Sequence, residues 1–113
     1  MDLPLSGFTV VELGHSVAAP FAGQILGDLG ARVIKVENPD GGDDARGWGP
    51  PFWHGSSATF QSLNRNKLSV TVDLKDAAEV ARLRELVVSQ ADVVIQNLRP
   101  GLVGRFGLDA GIR

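Results

Sequence analysis

The most regular pattern in the chain is a strict alternation over residues 68–74. Leu68, Val70, Val72 and Leu74 point one way, and Ser69, Thr71 and Asp73 the other. A period of two predicts a half-buried strand. A polar, basic turn precedes it (Asn64, Arg65, Asn66, Lys67), and at its far end Lys75 marks the start of a predicted helix. Asp76 suits the N-cap of that helix, with Glu79 completing a capping-box-like pair. Val80, Leu83 and Val87 supply its apolar stripe. Nearer the N-terminus, Phe8 to Leu13 reads as a strand and Gly14-His15-Ser16 as a turn. A helix follows, with Pro20 in its first turn. Phe21, Ile25 and Leu29, flanked by Ala22 and Leu26, give it one apolar face, and Gly30 suits a left-handed stop. Ala31 to Glu37 is a second strand. Ala91 to Gln96 is a further strand, expected to be buried on both faces. Asn97 to Arg99 forms the next loop, and Pro100 opens a short helix reaching Arg105.

Between the second and third strands, residues 38–57 hold both tryptophans, five glycines and three prolines. Such density excludes regular elements, and a loop of about 20 residues is usually functional or mobile. Trp48, Phe52, Trp53 and Phe60 are expected to anchor it by burial. Strands alternating with helices predict an α/β fold, an open parallel sheet flanked by helices. Ligands in such sheets bind at the carboxyl ends of the strands. Four strands make a meagre sheet, so the chain is expected to be the first part of something larger or a protomer that needs a partner.

Length and composition narrow the classes. The 113 residues allow one domain, and 43% hydrophobic with 21% charged residues is ordinary for a globular protein. The formal net charge of -2 argues against nucleic-acid binding. The charge is uneven: residues 1–59 carry 3 Lys/Arg and 7 Asp/Glu, and residues 60–113 carry 8 and 6. An anionic ligand should therefore prefer the second half. No cysteine is present, which excludes disulfides, zinc-cysteine sites and a thiol nucleophile. No apolar run reaches membrane-spanning length, and the first residues lack the pattern of a secretory signal, so a cytoplasmic protein without membrane contact is expected.

Several chemistries compete. Glu37 lies 23 residues after Gly14, as a ribose-binding carboxylate would in a dinucleotide site. The turn speaks against that reading: it has one glycine where three are needed, and Pro20 removes a donor. His15 stands where a general base or ligand contact would, and equally where a histidine satisfying loop backbone would. His54 has no obvious partner. Asp40, Asp43 and Asp44 lack calcium-loop spacing and read as a solvated loop, so no metal is expected. Ser16, Ser56 and Ser57 lack a nucleophile-elbow context. Among the cations, Lys75 and Arg99 follow successive strands on one sheet edge and could hold a ligand with several phosphates, with Arg105 nearby. Arg65 and Lys67 precede their strand, which assigns them to the opposite edge and to the fold or an interface.

Longer motifs carry a resemblance. Leu5-Ser-Gly-Phe-Thr-Val-Val-Glu-Leu13, Ala19-Pro20, Asp28 to Pro39 and Gly42 to Pro50 are similar to the N-terminal portion of the class III CoA-transferases. So are Leu63 to Lys75, Ala91 to Gly101 and Arg105 to Leu108. That family includes formyl-CoA, carnitine and bile-acid CoA-transferases and the α-methylacyl-CoA racemases. The resemblance implies a Rossmann-like CoA-binding domain over residues 1–113, incomplete relative to the family. It implies CoA or acyl-CoA as substrate, a carboxylic acid as co-substrate, and a homodimer or a complementing C-terminal fragment as partner. CoA contacts are implied at Val17 and Ala18, at Asn38, and at Val72, Asp73, Leu74 and Lys75. Further contacts are implied at Asn97, Leu98 and Arg99, and at Arg105. Two positions depart from the family: Asn38 is often Arg there, and Val17 can be Gln. The family's nucleophile is an Asp downstream of the region present here; it forms a mixed anhydride and then an enzyme-CoA thioester. The resemblance therefore implies that this chain alone does not turn over. A racemase and a non-catalytic CoA-binding or dimerisation fragment are the alternatives.

Overall fold

The computed structural model describes residues 3–108. The chain begins with β1 (Thr9–Leu13), α1 (Ala18–Asp28) and β2 (Arg32–Glu37). Next come a 3-10 turn at Asp44–Gly47, a two-residue hairpin of β3 (Phe52–Trp53) and β4 (Ser56–Ser57), and α2 (Ala58–Leu63). It continues through β5 (Lys67–Thr71), α3 (Ala77–Gln90), β6 (Val93–Gln96) and α4 (Leu102–Arg105). The main sheet has order β5-β2-β1-β6, with every pairing parallel. The expected α/β sheet with helices on both faces is present.

Each face of the sheet has its own core. Val11, Leu13 and Val36 pack with Leu83 and Val87 of α3 and with Val103 and Leu108. On the other face Val10, Ala31 and Val33 pack with Leu5, Leu26 and Ile95. Gly30 adopts a positive φ and ends α1 as its sequence suggests. Asp76 caps α3 by accepting from the N–H groups of Ala78 and Glu79. Glu79 reaches back to the N–H of Asp73, so the cap is not the reciprocal box expected.

Four expectations about burial are corrected. The α1 stripe faces outward: Phe21 is 50% exposed, and Ile25 and Leu29 are exposed with it. The helix turns its small side inward through Ala19, Pro20, Gly23 and Gln24, which lets it lie close to the sheet. The alternating strand β5 is an edge strand, so Leu68 stays 53% exposed and Val70 is open too. Val72 and Leu74, beyond its end, do join the core. β6 is the opposite edge, which leaves Val93 exposed rather than buried on both faces. Of the aromatics expected to anchor the long loop, Phe60 in α2 is buried, whereas Trp48, Phe52 and Trp53 are exposed. That loop is fastened by polar and charged groups instead, and it contains the short elements that its glycines and prolines had argued against.

Candidate functional site

The parallel arrangement brings the carboxyl ends of β1, β2, β5 and β6 to one edge. The β1–α1 turn lies at the centre of that edge. Its three residues, Gly14, His15 and Ser16, are held by side chains from three other segments. Lys35 Nζ in β2 donates to the Gly14 carbonyl at 3.2 Å. Asp43 Oδ1 in the long loop accepts from the Ser16 N–H at 3.0 Å. Asn97, just after β6, accepts from the His15 N–H at 3.1 Å and donates to the His15 carbonyl at 2.9 Å. Ser16 sits at φ 69, unusual for a residue with a side chain. Gly14 is required by space: a β-carbon there would overlap Ala19 and come within 2.6 Å of Asn97 Oδ1.

Beneath the turn lies a buried charge network. Lys35 Nζ is 2.8 Å from Glu12 Oε2 and 2.9 Å from Asp43 Oδ2. Lys67 Nζ is 2.6 Å from Glu12 Oε1 and donates to the Pro20 carbonyl and Asn64 Oδ1. Glu37 receives both Arg46 Nε and Nη2, the Asp43 N–H and the Ser69 hydroxyl. Burial works against the Glu37 carboxylate, yet Arg46, Ser69 and the Asp43 N–H outweigh it and hold its pKa at about 2. Burial likewise opposes Asp43, and the Ser16 and Ala45 N–H groups with Lys35 bring it below its ordinary value. Burial lowers Lys67, with Glu12 opposing. Glu37 is thus fully engaged and not free for a ribose, which disposes of the dinucleotide reading. Asp43 is buried rather than part of a solvated acidic loop, because the loop folds back over β2. Ser57 caps α2 and binds the Ala45 carbonyl. His54 is exposed beside Trp53, as its lack of partners suggests.

A cleft of about 160 Å³ opens at this edge, lined by Leu13, Gly14 and His15 at the end of β1, Val36, Glu37, Asn38 and Asp43 at and after the end of β2, Val72 and Leu74 after β5, and Leu98 after β6. Complete ligand pockets usually span about 300–1,000 Å³, so this cleft is smaller than a complete pocket. Four sequence candidates meet here: Asn38, Val72, Leu74 and Leu98. Asn38 also closes its own loop, donating to the Gly42 carbonyl and accepting from the Asp40 N–H. Val17 and Ala18 begin α1, which has no side-chain cap, and both are exposed. Asp73 accepts from the Lys75 N–H. Lys75, Arg99 and Arg105 are exposed and lie outside the cleft lining. The Asn97 amide is committed to His15, so its side chain shapes the turn. Arg65 pairs with Asp28 and Lys67 with Glu12, in line with the structural roles expected of them. Sequence reasoning missed Lys35 and Glu12. Their signal was two charged residues, each within an apolar strand run.

Comparison with known proteins adds an independent line. CoA-transferase family III matches residues 5–111. A succinate–glutarate CoA-transferase of Agrobacterium fabrum is 49% identical over 94% of this chain and 28% of its own length. A succinyl-CoA:glutarate CoA-transferase of Mus musculus is 48% identical over 93% of this chain and 24% of its own. The crystal structure of a CAIB/BAIF family protein from Brucella suis superposes with TM-score 0.90 at 47% identity, covering 98% of this chain and 30% of that one. The chain therefore spans 24% to 30% of the length of these relatives. Among the described residues no helix is long and apolar enough to cross a membrane.

Proposed function

The chain belongs to CoA-transferase family III, and from that premise we propose that it is the CoA-binding portion of an enzyme moving CoA between an acyl-CoA and a carboxylic acid. The observation that carries this reading is the cleft at the carboxyl edge, where Asn38, Val72, Leu74 and Leu98 converge. Its walls are largely apolar and suit the less polar parts of CoA. Lys75, Arg99 and Arg105 are exposed cations and suit its phosphates. The uncapped start of α1 offers further N–H groups beside Val17 and Ala18.

In this reading the cleft binds and orients the thioester, and residues beyond this chain supply the carboxylate nucleophile. That carboxylate attacks the acyl carbonyl and expels the CoA thiolate, leaving a mixed anhydride. The thiolate then attacks the enzyme carbonyl of that anhydride, releasing the donor acid and leaving an enzyme-CoA thioester. The acceptor carboxylate reverses the two steps to give the new acyl-CoA and restore the enzyme carboxylate. The curated relatives described above are named for succinate and glutarate. Their names favour a short dicarboxylic acid as co-substrate. The outward stripe Phe21, Ile25 and Leu29 supports a polypeptide partner, a second copy or a complementing fragment, without which the chain binds but does not turn over. A cytoplasmic setting completes the proposal. Calorimetric titration with CoA tests it: saturable heat is expected, and none at millimolar CoA overturns it.

A further inference from the structure

We propose that Asp43 is a positioning residue that shapes the β1–α1 turn for its ligand. The proposal rests on the CoA reading above. Three observations lead to it. Asp43 Oδ1 accepts from the Ser16 N–H at 3.0 Å and from the Ala45 N–H at 2.9 Å, so one oxygen joins the turn to the long loop. Its other oxygen is 2.9 Å from Lys35 Nζ, which itself holds the Gly14 carbonyl. The Asp43 N–H is fixed in turn by Glu37 Oε1 at 2.9 Å.

The consequence is geometric. The turn has one glycine, and its left-handed residue is Ser16, so the backbone conformation needs outside support. Asp43 supplies that support at the residue immediately before Val17 and Ala18. Loss of the acceptor frees Ser16 and lets the start of α1 move away from the cleft. Asp43 touches no ligand in this account; it acts through Ser16. The long loop between β2 and α2 thus has a specific task at its root: it carries the carboxylate that fixes the turn.

The test separates the acceptor from the charge. In a Lys35→Met background, Asp43→Asn keeps an acceptor for Ser16 and Asp43→Ala removes it, without leaving a buried ammonium unpaired. Amide exchange of Ser16 and the CoA dissociation constant are read by NMR on the intact chain. The Asn variant is expected to keep Ser16 protection and bind CoA like its Lys35→Met parent. The Ala variant is expected to lose about tenfold in both, the scale of one hydrogen bond, with β1 and β2 amides unchanged. Should the Lys35→Met background fail to fold, the single Asp43→Asn and Asp43→Ala variants are compared in the same way. Equal CoA affinity in the Asn and Ala variants overturns the proposal, as does an unprotected Ser16 amide in the parent chain. If the parent chain binds no CoA, the CoA reading falls and takes the ligand half of the proposal with it, while Ser16 exchange still decides whether Asp43 holds the turn.

Discussion

Lys67 Nζ lies 2.6 Å from Glu12 Oε1, joining the start of edge strand β5 to the inner strand β1 across β2. Both side chains are almost wholly buried, and the same ammonium donates to the Pro20 carbonyl in α1. Glu12 also pairs with Lys35, so one carboxylate serves two buried cations. Removing a single member of a buried ionic group leaves an uncompensated charge. Glu12→Gln should therefore destabilise the chain by about 3–5 kcal/mol. Lys67→Met should cost less, since Glu12 keeps Lys35. Urea unfolding followed by circular dichroism checks the order; an equal or reversed order contradicts the shared role of Glu12.

Gly23 lies within α1, where alanine would ordinarily gain about 1 kcal/mol of helix propensity. A β-carbon at Gly23 would overlap Glu12 Oε1. Glu12 is held on both oxygens by lysines and cannot move aside cheaply. Gly23→Ala should therefore destabilise, by about 1–3 kcal/mol, through overpacking against a fixed charge. A gain in unfolding midpoint would show that α1 can shift outward at no cost.

Stability should fall in acid through a definable group. Glu37 titrates near pH 2 in the folded chain against an ordinary 4.5. A depressed carboxylate contributes stability that is present above its unfolded value and is lost as pH falls toward the folded one. The window is therefore from about pH 4.5 down to about 2, with Asp43 and Asp28 contributing in the same direction. Glu37→Gln should flatten the unfolding free energy against pH across that window. An unchanged slope assigns the acid sensitivity elsewhere.

The order of the four main-sheet strands and of α1, α3 and α4 was legible because periodicity and Gly/Pro punctuation are local properties, whereas the hairpin β3–β4 and α2 were not. The shared carboxyl edge was legible too, since parallel order fixes which loops lie together. Burial was less so. The stripe Phe21, Ile25, Leu29 reads as a core face, yet Ala19, Gly23 and Gln24 give the closer approach to the sheet. The alternation from Leu68 reads as half-buried, but no local signal says that β5 is an edge. Glu12, Lys35 and Lys67 were opaque for a different reason. Glu12 and Lys35 look like the polar phase of a strand and Lys67 like part of a basic turn, and only the sheet register places all three on one face, under α1.

The outward stripe on α1 should matter for association and little for folding. Phe21→Ser with Ile25→Ser removes exposed apolar surface, so the unfolding free energy should stay within about 0.5 kcal/mol. Sedimentation velocity should show self-association at high concentration in the parent chain and less of it in the variant. A parent chain that stays monomeric at every concentration removes self-association as the use of this face.

Calorimetry of the parent chain beside a Lys75→Ala, Arg99→Ala double variant measures binding of CoA at the carboxyl edge. The parent chain should show saturable binding that weakens with added salt, and the variant about tenfold weaker binding, as expected for partly exposed contacts to phosphate. Identical affinity in parent and variant, or no heat from either, would contradict binding there.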